Sequence, residues 1–325
     1  MPLTQADIQP ALHLWPGLDG ARARLVNHSE NQTFIVQARS GERFSLRVHR
    51  PGYQSAKAIE SELAWLGAVQ HDTNLSIPAP VPAFDGRPLQ QFLTRTGETR
   101  LAALFRFVEG SEPSLDCTTP ALFGALGRAA ATLHNHVSTW DRPHGFERPV
   151  WDAKAILTPD GLWGDWRTAP NLDEAGRAIL AKLEQTLDLR LSEYGRGPDR
   201  FGLIHADMRL GNLLVNANRL TLIDFDDCGF GWFTYDFAAA ISFHETAPAI
   251  PSLRAAWLEG YAASRTLTSE DMASLDTMVM LRRMALLAWI SSHGETQLAR
   301  AHHREFAQGT VQLAERYLSG CLWSA

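Results

Sequence analysis

A polar cluster set between short apolar runs constrains the fold of this chain more than any other feature. The stretch LIHADMRLGNLLV covers residues 203–215, and shortly after it the chain reads TLIDFDD. Short apolar runs bounded by glycine, asparagine or aspartate are typical of short buried strands. We therefore predict strands at 202–204, 213–215 and 219–223, with the polar residues in the loop between the first two.

Three side chains of this region, Asp207, Asn212 and Asp224, are candidates for a shared site. If the predicted strands pair with one another, all three side chains follow strand ends and lie together at one rim of a small sheet. Two carboxylates and an amide oxygen form a hard oxygen set. Such a set suits Mg²⁺, which takes few protein ligands and keeps positions for substrate phosphates. The alternative is that Asp207 and Asn212 are simple turn residues.

The periodicity of apolar residues divides the chain into a β-rich first third and a helical remainder. Residues 32–50 indicate two strands around a turn, and 55–70 switch to the helical period with Ser55 as the N-cap. Further strand patterns lie near 89–94 and 100–108, and helical patterns at 119–137, 173–194 and after 234. We predict an α+β chain with a small β-rich lobe at 1–108 and a larger, mostly helical lobe at 109–325.

Composition argues against several classes of protein. The chain has 325 residues, a net charge of −6 and few lysines, with no long basic run. It is therefore a poor candidate for general binding to nucleic acid or to a membrane surface. The N-terminus lacks a signal-peptide pattern, no apolar run is long enough for a membrane span, and the three cysteines suit a reducing compartment. We expect a cytoplasmic protein.

The spacing His205-x-Asp207-x₄-Asn212, with Asp224 twelve residues later, resembles the catalytic and metal loops of a known superfamily. This is the aminoglycoside phosphotransferase and choline kinase superfamily, and the bacterial branch with stress response kinase A and type II homoserine kinases is most similar. The resemblance implies a protein-kinase-like fold and transfer of the γ-phosphate of ATP to a hydroxyl group, with Mg²⁺ as cofactor.

The same resemblance assigns roles to individual residues. It makes Asp207 the catalytic base that accepts the proton of the acceptor hydroxyl, and it makes Asn212 and Asp224 the Mg²⁺ ligands. Asp226 either assists the metal or pairs with an arginine. Asp236 resembles an acid that hydrogen-bonds back to the catalytic loop, whereas its local sequence alone indicates a helix N-cap. Phosphoryl transfer depends mainly on positioning and charge neutralisation, which these groups can supply.

A kinase-like small lobe needs a cation on a strand to bind phosphates and a glutamate on the next helix to orient that cation. Arg47 in FSLRVHR stands where the family commonly has lysine, and Glu62 is its expected partner. Arginine is always charged and binds phosphate in a bidentate manner, so it can serve. Lys57 is the alternative cation, and an exposed strand residue is the alternative reading of Arg47.

The nucleotide site is completed by weaker features of the small lobe. The loop expected to cover the nucleotide lies at 27–34, where Asn31 and Ser29 can hydrogen-bond phosphate, although it contains no glycine. The hinge is expected in FRFVEG, with backbone groups around Phe107 meeting adenine. Ala206 departs from the glycine that the family usually has in the catalytic loop, and a positive φ there would be strained.

The acceptor is not fixed by the sequence. A small alcohol that resembles an aminoglycoside, choline or homoserine is favoured, and a Ser/Thr protein is the alternative. Its pocket is expected between the polar loop and the helical lobe, with walls from the tryptophan-rich segment 140–166 and the helix at 281–295. Aromatic side chains there can stack on an ammonium group or a sugar. The alternative for these tryptophans is ordinary core packing.

Two other classes of protein stay open. A nucleotide-binding pseudoenzyme is suggested by the missing lysine and glycines, and it would bind ATP without consuming it. A metal-dependent hydrolase would use His205, Asp207 and Asp224 in a binuclear site, with Asp226 as a further candidate ligand. It would need additional histidine ligands and would work without ATP.

Overall fold

The computed structural model describes residues 2–28, 31–217 and 219–323. The chain forms two units, each assembled from segments that are distant in the sequence. The first unit comprises Met1–Ser111, Asp141–Arg148 and Leu214–Asp226. The second comprises Glu112–Trp140, Pro149–Leu213 and Asp227–Ala325. Two segments from the later part of the sequence therefore belong to the first unit.

An antiparallel sheet forms the body of the first unit. Its strands are β1 (Arg22–His28), β2 (Gln32–Gln37), β3 (Arg43–Val48), β4 (Leu89–Leu93) and β5 (Thr99–Arg106), in the order β1-β2-β3-β5-β4. The predicted pair of strands around a turn is confirmed, since β2 pairs with β3 across the turn at Gly41, where φ is 91°. A glycine suits that turn because a positive φ strains other residues.

The two faces of β3 have different partners because successive side chains of a strand point to opposite faces. Phe44 and Leu46 are buried in a core with α1 (Gln5–Leu12), a helix that we did not predict. Arg47 therefore points to the opposite face. There lies α2 (Ala56–Asp72), which begins as predicted after the N-cap Ser55, whose hydroxyl accepts a hydrogen bond from the Ala58 N–H.

The second unit is mostly helical, as predicted. Its helices are α3 (Pro120–Thr139), α4 (Ala153–Leu157), α5 (Glu174–Tyr194), α6 (Tyr235–Ala240), α7 (Ile250–Ala262), α8 (Ser269–Ser292), α9 (Gln297–His302) and α10 (Phe306–Leu318). α8 is buried on nearly all sides between Leu275 and Ile290. Among the residues described, no helix combines the length and apolarity needed to cross a membrane.

Close packing of α3 against α7 depends on glycine. A Cβ atom at Gly127 would lie 2.1 Å from the carbonyl oxygen of Trp257, and one at Gly260 would lie 2.0 Å from that of Gly124. Real Cβ atoms do not approach so closely, so these positions require glycine. The contact brings the end of α3 next to Tyr261 at the end of α7, which matters for the site below.

The prediction that the strands near the polar cluster form one small sheet is wrong. The strand β7 (Phe201–Ile204) lies in a sheet of the order β6-β10-β7, together with β6 (Val150–Trp151) and β10 (Gly229–Trp232). The strand β8 (Leu213–Asn216) pairs instead with β9 (Arg219–Leu222). The sequence indicated the strands but not their partners, because β10 has the glycine-rich sequence GFGW and gave no strand signal.

Candidate functional site

Asp236 fixes the backbone of the polar loop that follows β7. Its carboxylate accepts hydrogen bonds from the N–H of Ala206 at 2.8 Å and from the N–H of His205 at 3.2 Å. The predicted contact of this acid with the loop is therefore confirmed. The prediction of Asp236 as a helix N-cap is wrong, because Thr234 is the N-cap of α6 and Asp236 lies in its first turn.

His134 on α3 supports Asp236 from behind. Its Nε2 lies 3.0 Å from the Asp236 carboxylate and its Nδ1 lies 2.9 Å from the hydroxyl of Tyr261, all of them buried. Burial lowers the pKa of His134 although Asp236 opposes the shift, so the ring is neutral. A neutral ring donates from one nitrogen only. Nε2–H therefore donates to the carboxylate, and Nδ1 accepts from the tyrosine.

Asp207 lies in the loop with both carboxylate oxygens bound. Oδ1 accepts a hydrogen bond from Arg282 on α8, and Oδ2 accepts from Asn212 Nδ2 at 2.6 Å and from Arg209 Nε at 3.3 Å. The Nδ2 of Asn212 also donates to the Asp207 carbonyl oxygen at 2.9 Å. The structure thus brings Asp207 and Asn212 together. Both of these bonds use the amide nitrogen of Asn212, and its amide oxygen takes part in neither.

The charge state of Asp207 follows from its surroundings. Burial alone would raise the pKa of this carboxyl group, but the guanidinium groups of Arg282 and Arg209 outweigh burial and lower the pKa below its usual value. Asp207 is therefore ionised at neutral pH. An ionised carboxylate can accept a hydrogen bond from a hydroxyl group and orient it.

Ala206 has the strained backbone expected of a non-glycine residue at this position. Its φ is 66°, in the left-handed region where a Cβ atom costs about 1–2 kcal/mol. The strain is held in place from two sides, since Asp236 binds the Ala206 N–H and Arg282 donates to the Ala206 carbonyl oxygen at 3.3 Å. Such over-determined strain is common where a loop carries functional groups.

Arg282 was not among the residues that we predicted. The helix at 281–295 was expected to form a wall of the acceptor pocket, but no role was assigned to its arginines. A signal did exist in the sequence, because LRRMALLAW places two arginines inside an apolar run. Buried arginines are rarely unpaired, so this pattern predicts acidic partners.

The expected pair of Arg47 and Glu62 is confirmed in the first unit. Arg47 NH2 lies 2.6 Å from Glu62 Oε1, and both side chains are buried. Burial alone would lower the pKa of Arg47, but the surrounding carboxylates outweigh it and raise the pKa, so the guanidinium stays charged. Lys57, the alternative cation, lies at the half-exposed start of α2, 4.0 Å from Glu60.

Negative charge is in excess around Arg47. Its NH1 lies 3.8 Å from Asp224 Oδ1 and 3.8 Å from Asp226 Oδ1, so three carboxylates face one guanidinium. Within the residues described, the buried atoms Glu62 Oε2 and Asp226 Oδ1 have no hydrogen-bond partner. The side chain of Asp224 is 47% exposed. The exposed Asp224 carboxylate offers hard oxygens of the kind that a divalent ion such as Mg²⁺ prefers.

Asn31 connects the end of β1 and the start of β2 to this acidic segment. Its Nδ2 donates to Asp226 Oδ2 at 2.8 Å, and its Oδ1 accepts from the Arg50 N–H at 3.1 Å. Both polar ends of Asn31 are therefore bound to protein. The backbone carbonyl of Asp226 also accepts from Gln54 at 2.7 Å and from Arg148, two residues that we did not predict. Ser29 lies outside the described residues.

Phe107 follows directly after β5. Its N–H donates to the Arg43 carbonyl oxygen at 3.3 Å, and the Arg43 guanidinium carbon lies 4.2 Å from its ring centroid. The structure thus places the predicted residues in two groups. Arg47, Glu62, Asn31, Phe107 and Asp224 lie in the first unit, and Asp207 and Asn212 lie in the second.

The buried His49, two residues after Arg47, makes the stability of the fold sensitive to acid. Burial, and then the charges of Arg47 and Arg148, lower the pKa of His49 to about 3 against the opposing effect of Asp226. Below about pH 6.5 the unfolded chain binds a proton that folded His49 does not bind until about pH 3, so stability falls as the pH falls through this window.

The predicted loss from this one group between about pH 7.5 and pH 5.5 is about 1.4 kcal/mol in the free energy of unfolding. Urea unfolding at the two pH values measures it. His49→Gln should reduce the pH-dependent loss by that amount, whereas the exposed control His144→Gln should not. An equal pH dependence in wild type and His49→Gln would contradict the prediction.

The hydrolase alternative stays a prediction. Within the described residues, no group of three or more His, Cys, Asp or Glu side chains is arranged to hold a metal ion. His205, which the hydrolase site would need, is buried at the base of the loop with its Nδ1 3.3 Å from the Asp207 backbone nitrogen.

Comparison with known proteins identifies relatives of the whole chain. Residues 22–276 match the model of the family described as phosphotransferase enzyme family. The structure of a microcompartment-associated aminopropanol kinase superposes with a TM-score of 0.87, at 42% identity, over 96% of this chain and 97% of that one. A homoserine kinase of Gluconobacter oxydans is 26% identical over 83% of each chain.

Amicoumacin kinases match in sequence and in structure. The one from Bacillus subtilis is 23% identical, and the match covers 68% of this chain but only 63% of that protein. An amicoumacin kinase in complex with AMP-PNP and Ca²⁺ superposes with a TM-score of 0.75, at 19% identity, over 93% of this chain and 91% of that one. These matches confirm the predicted α+β, protein-kinase-like fold. They also confirm the resemblance to the superfamily named in the sequence analysis.

Proposed function

Because the chain belongs to the phosphotransferase enzyme family, we propose that it transfers the γ-phosphate of ATP to the hydroxyl group of a small amino alcohol such as aminopropanol. The observation that carries the choice of acceptor is the 42% identity to an aminopropanol kinase over nearly the full length of both chains. Two further relatives are also named as kinases of small molecules, a homoserine kinase and an amicoumacin kinase.

Asp207 receives the acceptor hydroxyl in this proposal. Its ionised carboxylate accepts a hydrogen bond from the hydroxyl, orients the oxygen toward the γ-phosphate and takes the proton as the new bond forms. Because Arg282 and Arg209 lower the pKa of Asp207, it is a weak base that does not remove the proton in advance. A loose transition state for phosphoryl transfer requires mainly such orientation.

Arg47 and Glu62 serve the nucleotide. Glu62 holds the guanidinium by the 2.6 Å contact, and Arg47 binds the ATP phosphates through its remaining N–H groups. The amide oxygen of Asn212 and the carboxylate of Asp224 are the proposed ligands of Mg²⁺. When bound, Mg²⁺ neutralises charge on the β- and γ-phosphates. Asn31 anchors its loop to Asp226, and Phe107 marks the hinge near adenine.

The proposed reaction is tested by ADP release from purified protein with Mg·ATP and a matched set of acceptors. Aminopropanol should support release, whereas propylamine, which has the amine but no hydroxyl, should not. Homoserine, choline and a generic Ser/Thr protein complete the panel. Thermal shift with ATP, with and without Mg²⁺, reports binding on the same sample. ADP release that no hydroxyl-bearing small molecule accelerates would contradict the proposal.

A further inference from the structure

Arg282 on α8 is a buried arginine directed at the loop that carries Asp207. Its side chain is 1% exposed. The guanidinium donates to Asp207 Oδ1, to the Ala206 carbonyl oxygen at 3.3 Å and to Ser242 Oγ at 3.0 Å. One side chain thus binds both the carboxylate and the strained backbone of two successive loop residues, from a position 75 residues away in the sequence.

Packing alone does not explain an arginine at this position. Apart from Arg283, its neighbours on α8 from Met278 to Ala288 are apolar, and the guanidinium carbon lies 5.0 Å from the ring centroid of Trp163. An apolar side chain of similar volume at such a position is often as stable as a buried ion pair, or more stable. The charge is therefore better explained by what it does to its partner, and its ion-pair partner is Asp207.

We infer that Arg282 is a positioning residue for phosphoryl transfer, which holds the carboxylate of Asp207 and the turn at Ala206 in one fixed arrangement. The inference rests on the proposed function, since it requires that Asp207 receives the acceptor hydroxyl. Arg282 itself does not touch the reacting atoms and acts through Asp207.

Several side chains support the loop, each at different groups. Asp236 binds the N–H groups of His205 and Ala206. Asn212 and Arg209 bind Oδ2 of Asp207. Arg282 binds the two groups that these contacts leave, the Ala206 carbonyl oxygen and Asp207 Oδ1. Because a displacement of about 1 Å in a reacting group can lower a rate about 100-fold, loss of this support should slow the transfer.

The adjacent residue Arg283 offers a matched control. It is also a buried arginine of α8, but its guanidinium binds Glu245 Oε2 at 2.5 Å and Thr310 Oγ1 at 2.9 Å. Its removal should destabilise the fold as the removal of Arg282 does, because each change takes a buried cation away from a buried carboxylate. Comparison of the two variants therefore separates positioning from stability.

The experiment compares Arg282→Met, Arg282→Lys and Arg283→Met in Mg·ATP turnover with aminopropanol, at a temperature where unfolding curves show each variant folded. Arg282→Met should lower kcat about 100-fold with KM for ATP changed less than about threefold. Arg282→Lys should lie between Arg282→Met and wild type, because one ammonium group cannot make all three contacts.

Arg283→Met should keep kcat within about threefold of wild type. The inference is overturned if Arg282→Met loses no more turnover than Arg283→Met. If Arg282→Met does not fold, Arg282→Lys decides, and a wild-type kcat in that variant also overturns the inference. Wild type and Asp207→Asn separate the inference from the proposed function. No aminopropanol-dependent turnover in wild type would refute the proposed function, and full turnover in Asp207→Asn would refute the role of Asp207 on which the inference rests. Loss of turnover in Asp207→Asn beside an unaffected Arg282→Met would refute only the role of Arg282.

Discussion

Replacement of Asp207 by asparagine is expected to lower kcat with aminopropanol by about 10²–10⁴-fold, the usual contribution of a general base. ATP affinity should stay close to that of wild type, because the predicted phosphate-binding residue Arg47 and its partner Glu62 are untouched. Asparagine is preferred to alanine because its side-chain oxygen can still accept from the buried Arg282. Removal of that acceptor would leave Arg282 uncompensated at about 3–5 kcal/mol.

Two measurements on the same preparation check the prediction for Asp207. A coupled assay of ADP gives kcat and KM, and thermal shift with Mg·ATP gives nucleotide binding. Asp188→Asn, at an exposed aspartate of α5, is the matched control and should behave as wild type. A kcat for Asp207→Asn within about twofold of wild type would show that Asp207 is not the base.

Replacement of Asp224 by asparagine is expected to weaken binding of Mg·ATP by at least about 10-fold, since even indirect partners of a metal site commonly contribute this much. Loss of the charge removes the attraction for the divalent ion but keeps a polar oxygen. The fold should be unaffected, because the side chain is 47% exposed. Its φ of 62° lies in the left-handed region, which asparagine adopts more readily than alanine does.

The two carboxylate variants should respond differently to magnesium. An increase in Mg²⁺ concentration should restore much of the nucleotide binding of Asp224→Asn, since a weakened site is filled by mass action. It should not restore the turnover of Asp207→Asn. An Mg·ATP thermal shift in Asp224→Asn equal to that of wild type at every Mg²⁺ concentration would remove Asp224 from the metal site.

Features set by local spacing were predictable from the sequence. The strand period places Arg47 on the face opposite the buried Leu46, and the resemblance to the family pairs it with Glu62 on the following helix, where the two side chains meet. A separation of five residues likewise brings Asn212 to Asp207. Both pairs could be predicted without knowledge of how distant segments of the chain pack.

Features that depend on distant segments were not predictable. The contact of Arg282 with Asp207 joins residues 75 positions apart, and that of His134 with Asp236 joins residues 102 apart. The pairing of β7 with β10 was also missed, because β10 gave no strand signal, and we predicted a single small sheet instead. Asn31 was expected to face phosphate, whereas the fold of the first unit brings it to Asp226, 195 positions away.

Phosphorus NMR of a reaction with Mg·ATP and aminopropanol follows the transferred phosphoryl group itself. A new phosphomonoester signal should grow in step with ADP, should be absent without Mg²⁺ or without aminopropanol, and should grow at least about 100-fold more slowly in Asp207→Asn. Inorganic phosphate as the sole phosphorus product besides ADP would contradict the proposed function, because the chain would then hydrolyse ATP rather than transfer its phosphate. Unchanged ATP after prolonged incubation with folded protein would contradict it as well.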